Sequence, residues 1–267
     1  MAHTLPEYVN YVNSPNVSQL LSNLSVYVGL PVNLGMFWVI PDTLLSERVH
    51  FMDVLLKNVS WYSEDFYQRM QVINHHMNYF DSGIYQKPSI VNGIDVSFEI
   101  LKLRVGPVMK EVYERMLAKV NCLKDPKNCD PYYQNLLYYV YSAHDETIYS
   151  MFTAFGIEDL CAPGAGEWPA FAAATLVELF LDRNNDPYFQ ILYRANSTTD
   201  FQAMTPLIAA CGGATYCPLN VFKEAAEFYK TDMEIHAYCQ VLPSQSSSTI
   251  SVLIATFFSF VVFLRLL

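Results

Sequence analysis

In Ser142-Ala143-His144-Asp145 an imidazole and a carboxyl stand side by side, directly after the apolar run Asn135-Leu136-Leu137-Tyr138-Tyr139-Val140-Tyr141. An imidazole can donate to an anionic oxygen or exchange a proton near neutrality, and a carboxyl can hand a proton to a departing alkoxide. A bare His-Asp pair arises by chance in roughly one chain in four of this length, so its setting has to carry the argument. The preceding run is β-branched and aromatic, as a buried strand is. Thr147-Ile148-Tyr149-Ser150-Met151-Phe152-Thr153-Ala154-Phe155 then reads as an apolar helix that ends at Gly156. His144 and Asp145 therefore fall at a strand-to-helix corner, where α/β folds keep their ligand sites. Free backbone N–H groups at such a corner attract an anion such as phosphate.

Other chemistry-bearing residues point to less. His75-His76 has no third ligand at a suitable spacing, so a solvated helix face is expected there and no metal site. His3 and His236 have no local partners that would give them a role. Gly164-Ala165-Gly166 follows Pro163 without a preceding strand, which argues against a phosphate-cradling loop. A net charge of −10 with no basic run excludes a nucleic-acid partner, since phosphate backbones are held by clustered lysine and arginine. No cofactor is expected.

The elements that must position the corner are helices first and strands later. Ser63 caps a helix with Glu64 and Asp65 in its first turn, Phe66, Met70, Ile73, Met77 and Phe80 on one face, and Gly83 at its stop. A second helix is expected to start at Pro107, after Gly106, and to repeat Val108, Met109, Val112, Met116, Leu117 and Val120. Turns such as Gln86-Lys87-Pro88 interrupt the helical part. Strands are expected at 135–141, 174–181 and 187–194, with a last helix near 219–229. At 267 residues, about half of them apolar, the chain can bury one substantial core.

Six cysteines and acceptor sequons at Asn16, Asn23, Asn58 and Asn196 describe a protein built for an oxidising, glycosylating compartment. Yet Met1-Ala2-His3-Thr4-Leu5-Pro6-Glu7-Tyr8 has no basic start and no apolar core, so it is not a secretory signal. Cys122 and Cys129 are close enough to close a local loop. At the other end, residues 249–267 would make a helix about 28 Å long at about 1.5 Å per residue, against a hydrocarbon core of about 30 Å. A single-pass membrane anchor is expected, with 243–248 as its linker, Arg265 at the far headgroups and the folded part lumenal or extracellular. A lipid-anchor signal, which wants a longer polar spacer, is the second choice.

The stretch Tyr141-Ser142-Ala143-His144-Asp145-Glu146-Thr147-Ile148 resembles the second signature of the histidine acid phosphatases. The resemblance continues through Ala174-Thr175-Leu176-Val177-Glu178-Leu179-Phe180, Tyr188-Phe189-Gln190-Ile191-Leu192-Tyr193-Arg194, and Cys211 to Cys217 with Pro218, Leu219 and Phe222. It reaches upstream more loosely through Trp38, Asp42, His50 and Ser60-Trp61. It implies phosphomonoester hydrolysis in two steps: a histidine attacks phosphorus, and water then releases phosphate from the phosphohistidine. By resemblance His144 binds a phosphate oxygen, Asp145 protonates the leaving alcohol, and Cys211 pairs with Cys217. Trp38 either lines the opening between cap and sheet or belongs to the core. Cys161 and Cys239 either pair with each other or bond elsewhere, because six cysteines allow 15 pairings.

The family's first signature, Arg-His-Gly-x-Arg-x-Pro, supplies the nucleophile and two arginines; no Arg-His-Gly occurs here. The expectation is a chain that begins about halfway through the family's fold, as a fragment or a truncated form. The fold class expected is α/β: the C-terminal part of a phosphoglycerate-mutase-like three-layer α/β/α domain plus a helical cap, followed by a transmembrane helix. Residues 1–118 would be the cap region and 119–242 the second half of the phosphatase domain. The partners expected are phosphomonoester substrates, the membrane and a second copy in a homodimer. The alternative function is a catalytically inactive, membrane-anchored lumenal or cell-surface binding module.

Overall fold

The computed structural model describes residues 2–50, 56–85, 89–158, 168–231 and 233–240. Helices come first. α1 (Pro6–Val12) and α2 (Pro15–Val28) both begin on a proline, whose missing N–H has no intrahelical partner to lose at that position. α3 (Leu34–Phe37) and α4 (Val39–Val49) follow, and then α5 (Glu64–Asp81). α5 is the helix that the sequence specifies. Ser63 Oγ accepts from the Phe66 N–H at 3.2 Å, the five predicted apolar residues are buried, and Gly83 turns the chain away at φ 79°.

A short hairpin, β1 (Ile90–Val91) with β2 (Ile94–Asp95), leads into α6 (Val96–Lys124). Here the sequence reading needs correcting, because Pro107 lies inside this helix and does not open it. The start belongs to Asp95, whose carboxylate accepts from the Phe98 N–H at 3.2 Å. An interior proline costs about 3 kcal/mol. α6 offsets that cost by burying side chains on both sides of the proline, Val96 and Val105 before it, and Met109, Val112, Met116 and Val120 after it. Gly106 is needed for a different reason: a Cβ there would lie 2.3 Å from the Tyr229 carbonyl oxygen.

Two strands appear where the sequence places them. β3 (Ala174–Leu181) pairs antiparallel with β4 (Pro187–Arg194), in a register running from Ala174 opposite Arg194 to Leu181 opposite Pro187. β4 also pairs with β5 (Gln202–Ala203) and with β6 (Cys217–Pro218). β6 runs directly into the predicted last helix, named α9 (Leu219–Phe228). The result is a mixed α/β fold with two apolar cores. One gathers residues from Leu5 to Val96, nearly all of them helical; the other runs from Val105 to Ala226 and holds the sheet. A short helix, α10 (Ile235–Gln240), lies in a separate unit that begins at Asp232.

The clearest departure is at 135–141, the predicted buried strand. Asn135 ends a short helix, α7 (Pro131–Asn135), and residues 136–144 follow without regular structure. Leu137 is 93% exposed, Tyr138 79% and Val140 70%. A strand exists only through its ladder of hydrogen bonds, and among the described residues no segment pairs with this one.

His76 also departs from expectation, since it is half-buried rather than on a solvated face. Its ring stacks on Tyr11 with centroids 4.1 Å apart and meets the Phe80 ring at 5.4 Å. Burial lowers its pKa from the usual value of 6.5, with Glu7 partly opposing. The folded state thus favours neutral His76, so its contribution to stability is present above about pH 6.5 and is lost as the pH falls below that. The near-ultraviolet circular dichroism of the ring cluster should fade as the pH falls below about 6.5, and His76→Phe should suppress the fade. Identical profiles for parent and variant would show that another group titrates. His3 likewise has partners: it stacks on Tyr8 at 4.6 Å, and its Nε2 lies 3.7 Å from Asp81 Oδ1.

Disulfides join Cys122 to Cys129 and Cys211 to Cys217, with Cα separations of 4.8 and 5.2 Å. Cys161, the side chain of Cys239, Gln86 to Pro88, Gly164 to Gly166, the linker 243–248 and the predicted membrane segment 249–267 all lie outside the described residues. Among the described residues no helix is long and apolar enough to cross a membrane.

Candidate active site

The corner forms at the start of α8 (Asp145–Ala154), two residues before the predicted helix start. Tyr149, Met151 and Phe152 are buried on this helix and fix it in the sheet core, where the Phe152 ring meets the edge of Tyr193 at 5.0 Å. Gly156 closes it at φ 67°. His144 is the residue before the helix, with extended backbone at φ −101° and ψ 164°. Its side chain makes no capping hydrogen bond, and the residue is exposed.

Asp145 is held through both carboxylate oxygens. Oδ2 accepts from the indole Nε1–H of Trp168 at 2.5 Å, and Oδ1 accepts from the Glu146 N–H at 3.0 Å. Trp168 is only 8% exposed and stacks on Tyr149 with centroids 4.6 Å apart. The Thr147 N–H donates to the His144 carbonyl at 3.0 Å. The expectation of a row of free N–H groups is therefore corrected, because two of the first-turn donors are already engaged. What remains is a helix N-terminus bearing Asp145 and Glu146, both favourably placed in its positive field.

Two arginines of α6 fasten this corner. Arg104 Nη1 donates to Glu146 Oε2 at 2.8 Å. Arg115 lies over the Tyr139 ring at 3.6 Å and donates to the Tyr141 hydroxyl at 3.1 Å, to Tyr132 at 3.3 Å and to Glu111 at 2.8 Å. Burial pushes the Tyr141 hydroxyl above its usual range, while the bond from Arg115 partly counters it. Arg115 thus ties the unpaired segment to a helix, three residues before His144. Both arginines sit on α6, but a helix predicted to begin at Pro107 left Arg104 outside it. Trp168 gave no sequence signal at all: it is 23 residues from Asp145 and follows a stretch without periodicity.

His144 and Asp145 are chain neighbours at the start of α8. Trp38 stands at the joint of α3 and α4 and is 55% exposed, so it is not a core residue. Asn16 and Asn58 are exposed, while Asn23 and Asn196 are half-buried. Asn196 Oδ1 accepts from the N–H and the hydroxyl of Thr198 at 2.9 and 2.7 Å. Among the described residues no group of three or more His, Cys, Asp or Glu is arranged to hold a metal ion.

An exposed imidazole beside an anchored carboxyl, at the N-terminus of a helix in an α/β fold, suits an anionic ligand and proton transfer to it. The profile of the histidine phosphatase superfamily (branch 2) matches residues 5–194, and the chain belongs to this family. The chain is similar to two proteins of Caenorhabditis elegans. It is 33% identical to "Putative acid phosphatase 11" over 242 residues, covering 89% of the chain and 57% of the relative, and 31% identical to "Putative acid phosphatase 10" over 207 residues, covering 77% and 50%. It is also 25% identical to the lysosomal acid phosphatase of Bos taurus over 224 residues, covering 84% of the chain and 44% of the relative. The chain spans about half the length of these curated relatives.

Proposed function

We propose that this chain contributes the proton-donor half of a phosphomonoesterase site, in the C-terminal part of a three-layer domain of the phosphoglycerate-mutase type. The observation that carries the reading is the pairing of an exposed His144 imidazole with an anchored Asp145 carboxyl at the N-terminus of α8. In this reading His144 donates to a phosphoryl oxygen and Asp145 protonates the departing alcohol. The nucleophilic histidine and its arginines come from a segment like the additional half that the relatives possess. The sequons, the paired cysteines and the apolar stretch 249–267 support a glycosylated, membrane-anchored protein with its phosphatase part lumenal or extracellular. Trp38, exposed on the helical part, is proposed to border the substrate opening.

The test joins the chain to the upstream half of a relative. Asp145→Asn should then slow hydrolysis of esters with poor alkoxide leaving groups by about 10²- to 10⁴-fold, the range for a general acid, and activated aryl phosphates far less. His144→Ala should impair both, because it removes a donor to the phosphoryl oxygens whichever group departs. Equal loss for both substrate types in Asp145→Asn would show that the acid is another residue. A joined protein that folds but hydrolyses neither would favour the second reading, an inactive binding module, which rests on the absence of an Arg-His-Gly triplet from this sequence.

A further inference from the structure

We infer that Trp168 is a positioning residue for the proton donor, an inference that rests on the role proposed for Asp145. A general acid works only while its carboxyl stays within hydrogen-bond reach of the leaving oxygen, and misplacement by about 1 Å can cost about 10²-fold. Asp145 is exposed and has two rotatable side-chain bonds, so the backbone alone does not fix its carboxyl. The indole does. Nε1–H meets Oδ2 at 2.5 Å, while the Glu146 N–H meets Oδ1 at 3.0 Å, and the two donors together set the plane of the carboxyl group.

The indole is itself immobile. It is 8% exposed, stacked on Tyr149 at 4.6 Å and 26°, and edge-on to Tyr79 at 6.3 Å. Tyr149 belongs to α8, the same helix that carries Asp145, so stack and hydrogen bond reinforce one another. An indole N–H is a donor that cannot accept, and it therefore favours a carboxyl oxygen over any competing donor. It binds Oδ2 without supplying a titratable group of its own. Trp168 thus orients the acid without competing for its proton.

Trp168→Phe isolates the N–H, since phenylalanine keeps an aromatic ring for the stack on Tyr149. In the joined form described above, Trp168→Phe should lower kcat for poor leaving groups about 10- to 100-fold with KM nearly unchanged. Activated aryl phosphates should be little affected, and adding the change to Asp145→Asn should cost nothing more, because the two act as one unit. In this chain as it stands, with Trp38→Phe and Trp61→Phe to silence the other indoles, the N–H marker band in ultraviolet resonance Raman should report a strong hydrogen bond that weakens in Asp145→Asn. Parental kinetics in Trp168→Phe beside a leaving-group-selective Asp145→Asn would overturn the positioning role alone. A non-selective Asp145→Asn would overturn the functional reading, and the positioning role with it. Equal loss for both substrate classes in Trp168→Phe would reduce the indole to a packing role.

Discussion

Incubated alone with an aryl phosphate at acid pH, this chain is expected to release phosphate at no more than the background rate. Attack on phosphorus needs a nucleophile in line with the leaving group and cations on the oxygens where charge collects. In the reading proposed above, His144 and Asp145 supply a donor and an acid and neither of those. The arginines nearest the corner are committed: Arg104 to Glu146 at 2.8 Å, and Arg115 to Glu111 and three tyrosines. Arg48 is bonded to Glu64 at 2.7 Å in the helical part. Removing a single oriented donor typically costs about 10²- to 10³-fold in kcat, so a site that works, as proposed above, with its nucleophile and two arginines on another segment should show nothing measurable by itself. The assay compares the purified chain with His144→Ala. Turnover within about tenfold of an ordinary kcat of about 10 per second, abolished by that change, would require a nucleophile inside this chain and overturn the expectation.

What the sequence revealed and what it hid follow from the range of the forces involved. α5 was legible in full because its cap, its first-turn acids and its apolar stripe are all local signals within the helix. β3 and β4 were legible because their alternation and spacing imply each other. α6 was misread at its start because proline is a strong local stop, whereas the burial that overrides it comes from two separate cores. His144 and Asp145 were legible as neighbours at a helix start, but the strand expected before them is irregular chain. Their supports were not legible. A tryptophan 23 residues downstream of Asp145 and arginines 30 and 41 residues upstream of it act through tertiary contact, and no periodicity announces such partners.

The run 136–141 is the instructive case, since its composition was read correctly and its environment was not. Apolar residues on both faces mark a strand meant to be covered on both sides. Tyr139 and Tyr141 face Arg115 on α6, their rings 4.8 Å apart, as alternate residues of an extended chain should be. Tyr138 and Val140 alternate to the opposite side and stand 79% and 70% exposed. Unpaired backbone bearing exposed apolar side chains is an adhesive edge in water. Without residues 244–267, the isolated chain should therefore bind a hydrophobic dye and aggregate.

Placing lysine at both outward positions, Tyr138→Lys with Val140→Lys, is expected to act in opposite directions in two contexts. In the isolated chain it should cut dye binding several-fold and raise the soluble fraction, because charge on an exposed edge discourages pairing. Joined to an upstream half that covers this face, the same pair would bury two unpaired ammonium groups at several kcal/mol each, close to the 5–15 kcal/mol that holds a domain folded. Phosphatase activity should then vanish with the fold, while Tyr138→Phe with Val140→Ile, which keeps the face apolar, should retain most of it. Full activity of the lysine pair in the joined form would show that the segment stays in water there too. The strand pairing implied by its composition would then have to be abandoned.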